Sequence, residues 1–184
     1  MYTRVMEWWP EASGPLLVHR LDLETSGLLL LAKSSSAHKK LQRQFISRSI
    51  KKTYEAVLEG EVSGDRGSID LPLRVDLDDR PRQMVCHQHG KSAFTRWQKL
   101  AAKKTDTGKS RIEFSPITGR THQLRVHAAH AAGLGMPIDG DSLYGSRRKN
   151  ATELLDRLKL HATQLEFLHP VSGEKLRIRS EPPF

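Results

Sequence analysis

Apolar positions along this chain recur with two periods. Ala37, Leu41 and Phe45 stand at i, i+4 and i+8, which is one face of a helix, and Ser34-Ser35-Ser36 before them offers N-caps. The other side of that helix carries His38, Lys39, Lys40, Gln42, Arg43 and Arg48. A second helix is predicted after a turn at Gly119, with Leu124, Ala128 and Ala131 on one face and Gly133 as its stop; His122, Arg125 and Ala129 share a neighbouring face. Alternation over Lys52–Gly60 predicts a strand with Tyr54, Ala56 and Leu58 on one side. Strands are also predicted at Arg111–Phe114 and, after a turn at Val171–Glu174, at Lys175–Arg179. The apolar block Leu28–Ala32, bounded by Gly27 and Ser34, reads as a short buried strand and is far below the ~20 residues of a membrane span.

The remaining segments are marked by breakers and charge. Glu7, Trp8 and Trp9 fit a short helix that Pro10 ends, with the indoles covering a core edge. Val62–Arg80 is rich in turn residues, and its acidic run reads as a solvated loop. That run, Asp76-Leu77-Asp78-Asp79, lacks the spaced oxygens and fixed glycine of a calcium loop. Two strands joined at His89-Gly90-Lys91 are expected next, a polar hairpin tip at Lys103–Lys109, and a short helix over Thr152–Leu160.

With 184 residues the chain is expected to form one domain, residues 1–184. The 30 Lys and Arg exceed the 21 Asp and Glu, a net charge of +9 that favours a polyanionic partner. A single cysteine, Cys86, excludes an internal disulfide and fits a reducing compartment, and no apolar stretch follows Met1-Tyr2-Thr3-Arg4, so a cytoplasmic monomer without membrane contact is expected. Cys86, His87 and His89 fall short of the four ligands of a zinc site, and no P-loop or dinucleotide fingerprint is present, so no metal and no cofactor are expected.

One carboxylate stands out. Asp22 lies between charged neighbours and a Thr25-Ser26-Gly27 turn. Physics alone allows a solvated loop with an Asx-type hydrogen bond. The string His19-Arg20-Leu21-Asp22, then Thr25-Ser26-Gly27 and a leucine run ending in Ala32-Lys33, resembles the catalytic motif of the RluA-type pseudouridine synthases. Lys52, Tyr54, Ala56 and Gly60 resemble that family's second motif, and Thr118-Gly119-Arg120-Thr121-His122-Gln123-Leu124-Arg125-Val126-His127 its third. The third match continues through Gly135–Gly145, with Met136 and Asp139 where the family usually has His and Leu or Val. Arg80-Pro81-Arg82-Gln83 with Val85-Cys86, then Gly90-Lys91, Ala93 and Thr95, is similar to the subgroup that modifies both large-subunit ribosomal RNA and a tRNA anticodon stem-loop. The resemblance covers roughly residues 16–180. The family's earlier Lys-Pro-x-Gly segment is not found, so an N-terminally truncated catalytic domain is expected.

The resemblance implies an α+β fold, with a mixed, mostly antiparallel central sheet flanked by helices and a catalytic cleft. It implies isomerisation of uridine in structured RNA, ribosomal or transfer, with no metal and no cofactor. Asp22 would be the essential carboxylate, either attacking covalently or stabilising positive charge at the anomeric carbon, with a glycal route also open. Tyr54 would stack on the uracil and accept or relay a proton. Arg125 would pair with Asp22 and hold it ionised. Leu124 would close the apolar side of the base pocket, and Arg20 would fill the gap left by a flipped nucleotide. His19, Thr25, Arg120 and His122 complete the substrate-binding set. Lys51, Lys52 and the basic helix would contact the RNA backbone. Two other readings remain at this point. One is a catalytically silent RNA-binding module, against which Asp22, Tyr54 and Arg125 are all present. The other is a glycosidase, which needs a paired carboxylate where only Glu24 is near, on an outward turn position.

Overall fold

The computed structural model describes residues 2–103, 106–146 and 157–184. In chain order the elements are α1 (Tyr2–Trp8), β1 (Ser26–Gly27), α2 (Ser35–Ile46), β2 (Lys51–Leu58), β3 (Arg66–Asp70), β4 (Leu73–Val75), β5 (Gln83–Val85), β6 (Phe94–Lys99), β7 (Ser110–Pro116), α3 (Gln123–Ala129), β8 (Leu160–Leu168) and β9 (Lys175–Arg179). The central sheet runs β1-β8-β2-β7-β6-β3, and β9 also pairs with β8. Among the described residues only the β1–β8 pairing is parallel. β4 and β5 form a separate ribbon. The expected α+β architecture with a mostly antiparallel sheet is what the chain adopts.

Strand alternation divides the sheet into an apolar and a polar face. Ala56, Leu58, Ile112, Phe114 and Leu160 pack with Leu124 and Ala128 of α3. Leu165 and Phe167 pack with Leu41 of α2, Ala32 and Ile50. Both groups lie on one face because the β2–β8 register shifts between Thr53 and Tyr54. Tyr54 pairs with Ala162 and Thr53 with Gln164, so Thr163 is the extra residue. The bulge lets Leu160 and Ala162, then Leu165 and Phe167, all point toward the helices. α2 and α3 therefore sit side by side, and the space between them opens next to Tyr54.

Several expectations are corrected. The leucine run is not a buried strand. Only Ser26 and Gly27 pair with β8, at His161 and Ala162. From Gln164 onward the same edge of β8 is taken by β9, so the chain must leave after Gly27. Leu28 and Leu30 then pack beside α2, and Leu31 bridges to Leu17. Gly27 has φ +104°, and a Cβ there would collide with the Ala162 backbone. The 62–80 stretch holds β3 and β4, because Ile69, Leu71 and Leu73 alternate into the core. Only its acidic end is a loop, where Asp76 accepts from the amides of Asp78 and Asp79. β5 and β6 do not form a hairpin at His89–Lys91. They pair with β4 and β3 respectively, and Gly90 closes a turn onto the Cys86 carbonyl. α3 ends at Ala129, leaving Ala131 exposed, and His122 is its N-cap at φ 53°. Asp106, expected on a polar tip, is buried against Arg111. Lys104, Thr105 and residues 152–156 lie outside the described residues; Leu158 is buried, and Leu160 opens β8.

Candidate active site

Asp22 sits on a turn held from both sides. The Thr25 amide donates to the Asp22 carbonyl at 3.0 Å. Upstream, His19 accepts from the Leu30 amide through Nε2 at 2.9 Å and stacks on Phe45 with centroids 4.8 Å apart. Burial, reinforced by the positive charge of Lys52, pushes the His19 imidazole down to about 4. His19 is therefore neutral at pH 7, which the accepted hydrogen bond requires. Downstream, Ser26 shares a 2.8 Å hydrogen bond with His161 across the β1–β8 pairing.

The turn forms one wall of a cleft of ≈ 260 Å³. Asp22, Arg20 and Thr25 stand on that wall, with His19 and Phe45 behind them. Tyr54 enters from β2 beside the bulge, and Leu124 and Leu160 supply apolar surface. Burial and then the Asp22 charge push the Tyr54 phenol up to about 12, so it keeps its proton at neutral pH. The Thr25 hydroxyl is buried without a hydrogen-bond partner among the described residues. An orphaned hydroxyl in a polar cleft costs stability unless something arrives to satisfy it.

The far wall is the β7–α3 loop, stiffened by Gln123. Its side-chain oxygen accepts from Thr118 Oγ1 at 2.8 Å and from the Arg120 amide at 3.0 Å. Its amide nitrogen donates to the Phe94 carbonyl and to Thr95 Oγ1. Arg120 reaches back through Nε to the Ser92 carbonyl at 3.0 Å. Lys52 donates to the Thr118 carbonyl at 3.4 Å, and burial beside Arg48 lowers its pKa.

Arg125 and His122 do not line this cleft. Arg125 is 2% exposed. It donates from Nε and Nη2 to the two Asp141 oxygens at 2.8 and 2.6 Å, and from Nη2 to Glu24 at 3.3 Å. The expected Arg125–Asp22 ion pair is therefore absent among the described residues, because Asp141 occupies the guanidinium fork. Burial opposes the Arg125 charge, but the Asp141 hydrogen bonds outweigh it and hold the pKa above its ordinary value. Glu24, expected to face outward, is drawn inward by Arg125 and by Ser142 Oγ at 2.7 Å. Asp141 also accepts from the amides of Leu143 and Tyr144. Tyr144 OH accepts from the Gln83 amide at 2.7 Å and shares a hydrogen bond with His122 Nδ1 at 2.9 Å. Burial lowers the His122 pKa although Asp22 pulls it up.

Sequence reasoning assigned no role to Asp141, Tyr144, Gln123 or Thr118. The signal available for Asp141 was its place in the Ile138–Gly145 continuation of the third motif. For Gln123 it was its place inside the motif itself.

The Asp22 carboxylate on its braced turn, the half-buried Tyr54 phenol and the apolar side chains of Leu124 and Leu160 thus share one cleft. A family model described as RNA pseudouridylate synthase matches residues 10–130. The chain belongs to that family: it is an RNA pseudouridine synthase, an isomerase. It is 43% identical over 182 residues to the dual-specificity RNA pseudouridine synthase RluA of Yersinia pestis, covering 99% of this chain and 84% of that one. With the enzyme of the same name from Pasteurella multocida it shares 45% identity over 166 residues, 90% of this chain and 73% of the relative. Among solved structures, human RNA pseudouridylate synthase domain containing 1 superposes with a TM-score of 0.78 at 29% identity, covering 100% of this chain and 74% of the other.

Proposed function

We propose that this enzyme isomerises uridine in structured RNA, a large-subunit ribosomal RNA helix, a tRNA anticodon stem-loop or both, with Asp22 as its essential carboxylate. The observation that carries the assignment of Asp22 is its place in the cleft wall opposite Leu124 and beside Tyr54. The substrate range rests on the dual-specificity relatives and on the Arg80–Cys86 string.

In the reaction the bond from uracil nitrogen to the ribose breaks, the base turns, and carbon 5 joins the sugar; the hydrogen on carbon 5 leaves to solvent and the freed ring nitrogen takes up a proton. Asp22 attacks or stabilises the anomeric carbon. Tyr54 stacks on the base as a protonated phenol and offers a hydrogen bond, since forming phenolate at neutral pH works against a pKa near 12. Leu124 and Leu160 hold the other edge of the ring. A cleft of ≈ 260 Å³ suits a single flipped nucleotide. Thr25 satisfies its orphaned hydroxyl on the bound nucleotide, and the exposed Arg20 fills the stack the base has left. Arg120 faces the substrate backbone. His19 lines the pocket as a neutral ring. Arg125 and His122 act as positioning residues, Arg125 through Glu24 in the Asp22 turn and His122 through Tyr144. The glycosidase reading loses its second carboxylate, because Glu24 is engaged by Arg125 and Ser142. We further propose that the chain works as a single catalytic domain, monomeric and in the cytoplasm; no helix among the described residues is long and apolar enough to cross a membrane.

The test is release of tritium from uracil carbon 5 in transcribed tRNA and ribosomal RNA fragments. Wild-type release, lowered at least ~10³-fold in Asp22→Asn with RNA affinity kept within a few-fold, is the expected result. Unchanged release by Asp22→Asn overturns the assignment.

A further inference from the structure

The polar face of the central sheet forms a second, larger groove of ≈ 830 Å³. It crosses β8, β2, β7, β6 and β3, which is four inter-strand steps or about 19 Å. Lys52 and Pro116 line both this groove and the Asp22 cleft. A smaller hollow between the end of α2 and the β7–α3 loop joins the two, and its rim carries Arg48, Ile117 and Arg120. The cleft and the sheet groove are thus one continuous trough that turns over the ends of β2 and β7.

An antiparallel sheet often leaves one face in water, so a polar face alone means nothing. The two ends of this face differ, however. At the β8–β9 end the charges are satisfied internally. Glu166 pairs with Arg177 at 2.7 Å and Lys175 at 3.5 Å, and Arg179 donates to Gln164 at 2.8 Å. At the β3–β6 end they are not. Arg66 pairs in register with Gln98, and Ser68 with Arg96, which places Arg66 and Arg96 as diagonal neighbours on the same face. Both are exposed, and neither has an ion-pair partner among the described residues. Like charges side by side on a strand pair are unfavourable without a counterion. Arg48, also exposed and without an ion-pair partner among the described residues, continues the cationic line toward the cleft. An anionic occupant would have to be long, since it must lie across several strands. A polynucleotide backbone, with one charge per about 1.7 Å of duplex axis, has that spacing to offer.

We propose that the groove centred on Arg66 and Arg96 holds the phosphate backbone of RNA flanking the target loop. This rests on the pseudouridine synthase reading of the Asp22 cleft. Three strand steps, about 14 Å, separate β3 from β2, more than the Debye length of about 8 Å at physiological salt. The two arginines therefore act by direct contact with RNA that leaves the cleft, and RNA confined to the cleft does not feel them.

The experiment compares full-length tRNA with its isolated anticodon stem-loop, both transcribed with tritium at uracil carbon 5. Wild type, Arg66→Ala/Arg96→Ala and the charge-keeping Arg66→Lys/Arg96→Lys are measured for affinity against salt and for single-turnover release at saturating RNA. The expected result for the alanine pair is about tenfold weaker binding of full-length tRNA. Its plot of log affinity against log salt should be flatter by about 2, stem-loop affinity unchanged, and saturated turnover unchanged on both RNAs. The lysine pair should restore most of the affinity and slope. An unchanged salt slope on full-length tRNA, or an equal loss on both RNAs, overturns the proposal. Absence of tritium release by wild type on either RNA would instead count against the substrate reading of the cleft, whatever the salt slopes show.

Discussion

Two arginines are buried to the same degree in this molecule, and they do different work. Arg111 and Arg125 are each 2% exposed, and each is gripped by one aspartate and one glutamate. Arg111 holds Asp106 and Glu55 on the polar side of β7, under the Phe184 ring. Its cluster ties Asp106, Lys103 through the Asp106 carboxylate, and the Phe184 carbonyl to the sheet. Arg125 holds Asp141 and Glu24, and Glu24 is two residues from Asp22. Both guanidinium pKa values are raised by carboxylate partners against the pull of burial. Burial, charge pairing and perturbed ionisation therefore do not distinguish a brace in the scaffold from a brace beside the proposed catalytic carboxylate. What distinguishes them is which backbone the second carboxylate belongs to.

The sharpest way to break this contrast is to remove each cation. Arg125→Met should lower turnover by about 100-fold or more at temperatures where it stays folded. Arg111→Met should leave turnover within about threefold and lower stability by about 3–5 kcal/mol, the usual cost of orphaning buried carboxylates. Tritium release and thermal melting separate the two, and equal losses of turnover would dissolve the distinction.

Acid should also reach the two regions at different pH. His19, beside the Asp22 turn, stays neutral in the folded state down to about 4, whereas an unfolded imidazole takes up its proton below about 6.5. Its contribution, about 3 kcal/mol at most, is complete above pH 6.5 and lost progressively as pH falls from 6.5 to 4. Asp106 acts in the same direction but in a lower pH window. Burial opposes its charge, but Arg111 and the Lys103 amide outweigh that and lower its pKa. Its contribution is present above the ordinary carboxylate pKa of about 3.9 and lost as pH falls through its lower folded value. Denaturant melts from pH 7 to 3 should show the first decline flattened in His19→Gln, and the second flattened only in Asp106→Asn.

Smaller effects sharpen the same comparison. Asp141→Asn should cost about 10–30-fold in turnover by loosening Arg125, and Asp106→Asn none, in the same release assay. Glu24→Gln should cost about threefold and Glu55→Gln nothing measurable in turnover. A larger loss for Glu55→Gln would mean that the Arg111 cluster communicates with the cleft.

What could be read in the sequence follows from how local each interaction is. α2 was legible because Ser34 caps it and Leu41 anchors an evenly spaced face; β2 and β9 alternate cleanly, and each falls within two residues of its expected place. Asp22, Tyr54 and Leu124 were legible because linear motifs carry them, and the fold brings all three to one cleft. The Arg125 partner was not, since the choice between Asp22 and Asp141 is made by tertiary geometry across 16 positions of chain. β3 and β4 were hidden because Gly67 and Pro72 look like turn residues, although Ile69, Leu71 and Leu73 keep strict alternation. The leucine run misled for a different reason: whether it could be a strand depended on β9 claiming the edge of β8 first.

The short parallel pairing of β1 with β8 also sets a timetable. Ser26 meets His161 across 135 positions of sequence, so the turn that carries Asp22 has no seat until the strand near the end of the chain has been made. At a synthesis rate of about 5–20 residues per second, the carboxylate waits on the order of 7–27 s after its own translation for that partner. α2 waits on the same strand, since its Leu41 packs on Leu165 and Phe167 of β8, so the basic helix and the Asp22 turn gain their seats together.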